Sequence, residues 1–292
     1  TAHTTLSGGT RVDALIGVNL IGTQGALDGH RLAMEAGLPV YQKLDGTLHS
    51  TKEQVIEDLS ILPQRAWDLI DLKMYLPSPA SYKRSPAIST MMQRGCPKAC
   101  TFCSVNSMFK YNTRQHSIDF LEEEMTFLKR KGFIDFNFWD SVFTYDNEWT
   151  YEACKVFRKL GITWNCIGRL DHVDRPLLDA MRSSGCYEIG YGVESGSQRS
   201  LDLMCKVQKL ADVEETVRMT KEAGIKAKCF FMIGFPWETK VDVKKTIDFA
   251  FKLRPEIAAF SIATPYPGSR WFDEYAHVFN DPESYKGINN LS

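Results

Sequence analysis

The sequence predicts an α/β fold, an open barrel of six strand–helix units, and two observations carry that reading. From about residue 86, short apolar stretches alternate with longer amphipathic ones. Most of the amphipathic stretches stop at a glycine: Gly132, Gly161, Gly185 and Gly224. Repeated strand–helix steps argue for parallel strands joined by right-handed crossovers. Six steps fall short of the eight in a full (β/α)8 barrel, so a partial (β/α)6, TIM-like barrel is expected over residues 86–275.

The elements follow in order. Ala87 to Met92 reads as a strand running into a cysteine-bearing loop. Ser117 is a good N-cap for a helix through Leu121, Met125 and Leu128. Phe133 to Trp139 alternates as a strand, with Ile134, Phe136 and Phe138 on one face. A helix from near Asn147 ends at Gly161, and the strand Ile162 to Ile167 follows. Asp174 and Pro176 open the next helix, and Tyr187 to Val193 is the fourth strand. A helix over Val213 to Ala223, a strand from Ile225 to Ile233, a helix from Thr239 to Leu253 and a strand from Ile257 to Ile262 complete the series. In such sheets the chemistry gathers at the carboxyl ends of the strands.

Composition bounds the function. With 292 residues, 43% of them hydrophobic, the chain can bury one large core plus an appendage. Its 35 basic and 36 acidic residues leave a net charge of −1, so neither nucleic acid nor a membrane surface is an expected partner. No apolar run approaches the roughly 20 residues of a membrane span. No signal-peptide pattern stands at the start, and a cytoplasmic location is expected. The ends at Thr1 and Ser292 suggest a piece of a longer protein.

Cys96, Cys100 and Cys103 spell C-x-x-x-C-x-x-C directly after the first strand. Such a loop can turn three thiolates toward one point, and thiolates suit iron–sulfur clusters. Three ligands leave the fourth iron of a 4Fe–4S cube open to a substrate or cofactor. A zinc site would want a second ligand pair at matched spacing, and none is nearby. The other five cysteines, Cys154, Cys166, Cys186, Cys205 and Cys229, are scattered through apolar surroundings and read as small buried hydrophobes rather than disulfide partners.

Further motifs end successive strands. Phe138-Trp139-Asp140-Ser141-Val142-Phe143-Thr144 follows the second, and Asp140 is either a ligand for an ammonium group or a helix-entry acid. Asn165 to Asp171 ends the third; Arg169 could form a bidentate pair with a carboxylate or a surface salt bridge. Gly190-Tyr191-Gly192-Val193-Glu194-Ser195-Gly196 ends the fourth, where a carboxylate between a buried strand and small residues is costly without a partner. Met232 to Thr239 makes a Gly234-Phe235-Pro236-Trp237-Glu238-Thr239 turn, and Thr264-Pro265-Tyr266-Pro267-Gly268-Ser269 follows the sixth strand. Glu238 is also placed to favour a helix dipole.

Taken in this order, the cysteine triplet and these turns resemble the radical S-adenosylmethionine superfamily, in particular its cobalamin-dependent group, over about residues 50–275. The resemblance extends to Phe102, the aromatic residue before the last cysteine. It implies a barrel of the radical S-adenosylmethionine type, with Cys96, Cys100 and Cys103 holding a 4Fe–4S cluster. It implies Asp140 at the ammonium of S-adenosylmethionine, Arg169 at its carboxylate, Glu194 at its ribose and the Gly234 turn beside its adenine. Trp237, where relatives have a small residue, would narrow the pocket, and Tyr266 would face the substrate. Ser141 departs from the group's second acid.

Residues 1–50 resemble part of a cobalamin-binding Rossmann-like domain, with a small hairpin around Asp45-Gly46, and residues 51–85 resemble the linker that follows one. Residues 276–292 are left as a C-terminal extension. The stretch Asp28 to Ala33 superficially resembles a cobalamin signature, but an exposed helix-start histidine is the better reading of His30. The resemblance implies reductive cleavage of S-adenosylmethionine to a 5′-deoxyadenosyl radical, cobalamin as a further cofactor, and methyl transfer to an unactivated centre of a small-molecule or natural-product substrate. An electron donor such as flavodoxin or ferredoxin is the implied partner. The alternatives are a cobalamin-free radical enzyme and a structural iron–sulfur or zinc protein; the latter leaves Asp140, Glu194 and the Gly234 turn unexplained.

Overall fold

The computed structural model describes residues 58–74 and 81–275, together with the backbone of four short strands before them. The chain divides into two units, Thr1–Glu57 and Asp58–Ser292. In the first unit His3–Thr5 pairs antiparallel with Arg11–Asp13, and Val40–Gln42 pairs antiparallel with Leu48–Ser50, placing Tyr41 opposite His49. The second pair is the hairpin read around Asp45-Gly46. His30, most of residues 1–57 and the extension 276–292 lie outside the described residues.

The second unit is built on a six-stranded sheet: β1 (Ala87–Thr90), β2 (Asp135–Phe138), β3 (Thr163–Gly168), β4 (Cys186–Glu194), β5 (Lys226–Ile233) and β6 (Ile257–Ile262). Every neighbouring pair is parallel and the spatial order is the chain order. β1 and β6 are the two edges, so the expected partial barrel is open. Among the described residues of this unit eight α-helices connect or flank the strands: α1 (Val105–Phe109), α2 (Ile118–Arg130), α3 (Asn147–Leu160), α4 (Arg175–Ser183), α5 (Gln198–Leu203), α6 (Leu210–Glu222), α7 (Lys240–Leu253) and α8 (Arg270–Tyr275).

Local chemistry sets the helix starts. Ser117 accepts from the Phe120 amide at 3.2 Å, and Asp174 from the Leu177 amide at 2.8 Å. Asp146, one residue before the expected start of α3, accepts from the Trp149 amide at 3.0 Å. Thr239 and Asp242 satisfy each other's backbone in a capping box. Each such cap stabilises its helix by about 1 kcal/mol.

Alternation along the strands separates two faces. Trp164 and Cys166 of β3, Ile189 and Tyr191 of β4, and Ala227, Cys229 and Phe231 of β5 are buried in one core with Leu121, Leu128, Phe157, Leu178 and Val217 of the helices. Asn165, Glu188, Gly190, Lys228 and Phe230 alternate with them and line the lumen. β2 departs from simple alternation, because all four of its residues are buried. Asp135 is held there by the amides of Lys83 and Arg84 at 3.3 and 3.0 Å and by the Tyr187 hydroxyl at 3.2 Å. Those bonds fasten the end of the linker to the base of the barrel.

Candidate cluster and cofactor site

Gly95 carries the chain from β1 into the cysteine loop with φ +94°, and a Cβ there would lie 1.9 Å from the Asn112 carbonyl oxygen. Only glycine makes that approach. Cys96, Cys100 and Cys103 are free and half-buried. Two backbone bonds pin the middle of the loop: the Thr101 amide donates to the Met204 carbonyl at 2.9 Å, and the Trp271 amide donates to the Thr101 carbonyl at 2.8 Å. The Asn106 side-chain amide holds the Lys98 carbonyl.

Phe102 meets Phe235 edge-on at 6.1 Å. Phe235 in turn stacks on Trp237 at 4.8 Å and tilts against Trp271 at 4.9 Å. Phe102 and Trp237 therefore belong to an aromatic cluster that backs the loop, together with Leu201 and Met204. Among the described residues the buried Trp237 indole nitrogen has no partner.

Burial pushes the Cys100 and Cys103 thiols up, while Lys206 and Arg169 pull Cys100 the other way. Three half-buried thiols on one loop beside two cations suit a cluster whose thiolate ligands carry negative charge. Among the described residues no three His, Cys, Asp or Glu side chains converge on one point to hold a single metal ion.

Asp140 is completely buried. Its Oδ1 accepts from the Met92 amide at 2.7 Å and from the Gln93 amide, and its Oδ2 has no partner among the described residues. Desolvation raises its carboxyl to about 7 against the opposing pull of those amides. As found, the carboxylate grips the strand that feeds the cysteine loop rather than opening to a cleft. The same segment is held from the other side by Arg65, which donates to the Met91 carbonyl and to both oxygens of Glu124.

Arg169, only 9% exposed, forms a bidentate pair with Asp171 at 2.8 and 3.1 Å. Asp171 also accepts from Lys98 of the cysteine loop at 3.2 Å. These cations hold the Asp171 carboxyl down to about 2, against a desolvation that raises it. The expected fork toward a cofactor carboxylate is thus occupied by Asp171, and the pair ties the carboxyl end of β3 to the loop. It is a salt bridge between a buried Arg169 and an exposed Asp171, 9% and 39% exposed at their side chains.

Glu194 ends β4 at a bulge, with φ +66°. Its Oε1 accepts from Lys206 Nζ at 3.1 Å, and both residues feel Cys100. Sequence reasoning missed Lys206, which no motif singled out. The cost argument for Glu194 required a partner, and Lys206 supplies it.

At the fifth strand, Gly234 turns with φ +96°. Glu238 accepts from the Gly234 and Phe235 amides at 2.8 and 3.1 Å, so it closes the turn itself. Tyr266 is 55% exposed, and its carbonyl accepts from the Ser269 amide and hydroxyl. The hydroxyl of Tyr266 has no partner among the described residues. The structure thus gathers Glu194, Arg169 and the missed Lys206 around the cysteines. Asp140 lies behind the loop, Trp237 beneath it and Tyr266 at the outer surface. One cysteine is corrected: Cys205 is exposed, because it sits in the turn after α5 with φ +52°.

The sequence model of the radical SAM superfamily matches residues 90–250, more than half of the chain. The chain belongs to the radical SAM superfamily. This radical SAM chain is 32% identical over 229 residues to an uncharacterized methyltransferase of Pyrococcus horikoshii, covering 77% of this chain and 49% of that protein. It is 26% identical to the bacteriochlorophyllide d C-12(1)-methyltransferase of Chlorobaculum tepidum, covering 83% and 57% respectively. It therefore spans about half the length of these relatives. Its fold matches the radical S-adenosylmethionine methyltransferase TsrM from Kitasatospora setae, solved with cobalamin and a 4Fe–4S cluster bound, with TM-score 0.57 and 21% identity over 65% of this chain and 36% of that one. Among the described residues no helix is long and apolar enough to cross a membrane.

Proposed function

We propose that this chain is the catalytic barrel of a cobalamin-dependent radical SAM enzyme that transfers a methyl group to an unactivated centre of a small molecule. The observation that carries the reading is the grouping of Glu194, Lys206 and Arg169 around Cys100 at the carboxyl ends of β3 and β4. Cys96, Cys100 and Cys103 would hold the 4Fe–4S cluster, which when bound supplies the electron for reductive cleavage of S-adenosylmethionine. Glu194 accepts from ribose hydroxyls, as acidic residues do at dinucleotide sites. Lys206 and Arg169 place positive charge where thiolates and a cofactor carboxylate gather. Asp140 fixes the approach to the loop, and the Phe102–Phe235–Trp271 cluster keeps water from its back. Tyr266 stands at the rim toward the substrate.

Methyl-transferring relatives and a cobalamin-bound structural neighbour support the cobalamin reading. In it, the first unit and the linker are the end of the corrinoid-binding domain, in a reducing cytoplasm served by flavodoxin or ferredoxin. Anaerobic reconstitution of the longest form of the protein with iron, sulfide and hydroxocobalamin tests it by one visible spectrum after gel filtration. Corrinoid bands with cluster absorbance are expected. Cluster absorbance alone would leave a cobalamin-free radical enzyme, and neither would leave no radical enzyme at all.

A further inference from the structure

Thr101, the residue after Cys100, is gripped from two sides. Its amide donates to the Met204 carbonyl at 2.9 Å, and its carbonyl accepts from the Trp271 amide at 2.8 Å. The residues next to those grips, Cys205 and Arg270, are both exposed. Arg270, paired with Glu274 at 2.7 Å, lies within electrostatic reach of Cys205 and of Tyr111. The loop before α8 also packs on α1, since a Cβ on Gly268 would lie 2.4 Å from Ser107 Oγ. The end of α1, the turn after α5 and the start of α8 therefore form one face around the cysteine loop. Through the Thr101 amide that face is one hydrogen bond from the Cys100 peptide.

Large apolar side chains stand exposed on this face: Met108 at 56%, Tyr111 at 57% and Leu203 at 45%. Grouped exposed apolar side chains mark an interaction surface. The charge around the cysteines has one sign. Between Asp71 and Asp119 the sequence has no acidic residue, and the stretch that carries the cysteines holds Arg94, Lys98, Lys110 and Arg114. In a chain of net charge −1 this is a local cationic field. The acids near the face are on the flanking helices: Asp202, met by Gln198 at 3.0 Å, Glu274, met by Arg270, and Asp273.

We infer that this face is the docking surface of an acidic one-electron carrier protein that reduces the cluster. The inference rests on the reading that the three cysteines hold one. The same reading gives the side of Glu194, Lys206 and Arg169 to S-adenosylmethionine, so the electron enters by another face. One electron leaves the reduced carrier and is taken up by the cluster, and no bond is made or broken. Electron transfer falls off steeply with distance, and a carrier seated on Met108, Tyr111 and Leu203 reaches the backbone that holds Cys100. A small apolar patch inside complementary charge suits the brief encounters of redox partners. A second copy of this chain fits less well, because two cationic loops would face each other.

The test uses the iron-loaded full chain with reduced flavodoxin and reduced ferredoxin as acidic carriers, and reduced methyl viologen as a small reductant that needs no docking surface. Initial rates of 5′-deoxyadenosine formation are compared for the unaltered chain, Met108→Asp and Leu203→Asp. With at least one carrier the rate is expected to fall about tenfold in each variant. In the unaltered chain that rate should also fall as salt rises from about 0.05 to 0.5 M. The viologen rate should be the same in all three proteins, which shows that the variants are folded and loaded. Sedimentation of the chain with the carrier should show the same loss as weaker binding. Carrier rates and binding that survive both substitutions would overturn the surface. So would a loss shared equally by viologen, or no rate with either carrier where viologen supports one. Self-association of the chain that the substitutions abolish would give the face to a second copy and overturn it as well. Absence of 5′-deoxyadenosine with viologen from the unaltered chain would instead overturn the radical reading, and carrier binding by sedimentation would then decide the face.

Discussion

Glu194 and Lys206 meet at 3.1 Å, each side chain about 10% exposed, and the space for their contact is the missing side chain of Gly192. A Cβ on Gly192 would lie 2.3 Å from Glu194 Oε1 and 2.8 Å from Lys206 Nζ. The pair and the glycine are thus one device. The left-handed backbone of Glu194, uncommon outside glycine, aims the carboxylate at that space.

Gly192→Ala should separate the two charged ends at little cost to the fold, since both are tips of long side chains. Affinity for S-adenosylmethionine is expected to fall at least about tenfold, as after loss of one hydrogen bond to a charged group. The melting temperature should move by only a few degrees. Anaerobic equilibrium binding beside a thermal melt decides the matter, and unchanged affinity would detach the pair from the cofactor.

Glu194→Gln keeps the size of the side chain and weakens a charge-assisted acceptor. The expected loss of affinity for S-adenosylmethionine is about 1.5–3 kcal/mol. It also leaves the Lys206 ammonium buried without its counter-ion, so stability should fall as well. Lys206→Met in the same background should recover stability but not affinity. Recovery of both would mean that the pair serves packing alone.

Asp140 gives a pH signature with a definite sign. Its folded carboxyl is raised to about 7, whereas an unfolded Asp titrates near 3.9. Between those values the folded chain binds the extra proton, so stability is greatest at low pH and is lost as pH rises through about 7. A rise of some 3 units corresponds to about 4 kcal/mol in total. Urea unfolding of the metal-free chain at pH 5, 6 and 7 should show a stability decline in the unaltered protein. Asp140→Asn should show a smaller one, while its amide oxygen still accepts from Met92 and Gln93. Parallel pH curves for the two proteins would contradict this account of Asp140.

Sequence periodicity and caps carried the barrel well: Ser117, Asp174 and Thr239 start helices where expected, and β6 spans the residues read for it. The short helices α1, α5 and α8 were not legible, because five or six residues hold too few turns to show a period. The cysteine spacing named the chemistry. The partners of the other site residues did not follow from spacing, because they are long-range. Asp140 bonds the amide of Met92 48 residues earlier, and Lys206 reaches back 12 residues to Glu194 around a helix. Cys205 misled because apolar neighbours in sequence do not guarantee burial at a turn.

The central claim is that Cys96, Cys100 and Cys103 hold one cluster that enables cleavage of S-adenosylmethionine. Its most direct test compares the unaltered chain with Cys100→Ala after anaerobic reconstitution, measuring bound iron and sulfide and the 5′-deoxyadenosine formed with a chemical reductant. The account expects a cluster and 5′-deoxyadenosine from the unaltered chain, and loss of both from the variant. A full cluster and undiminished 5′-deoxyadenosine in Cys100→Ala would contradict it.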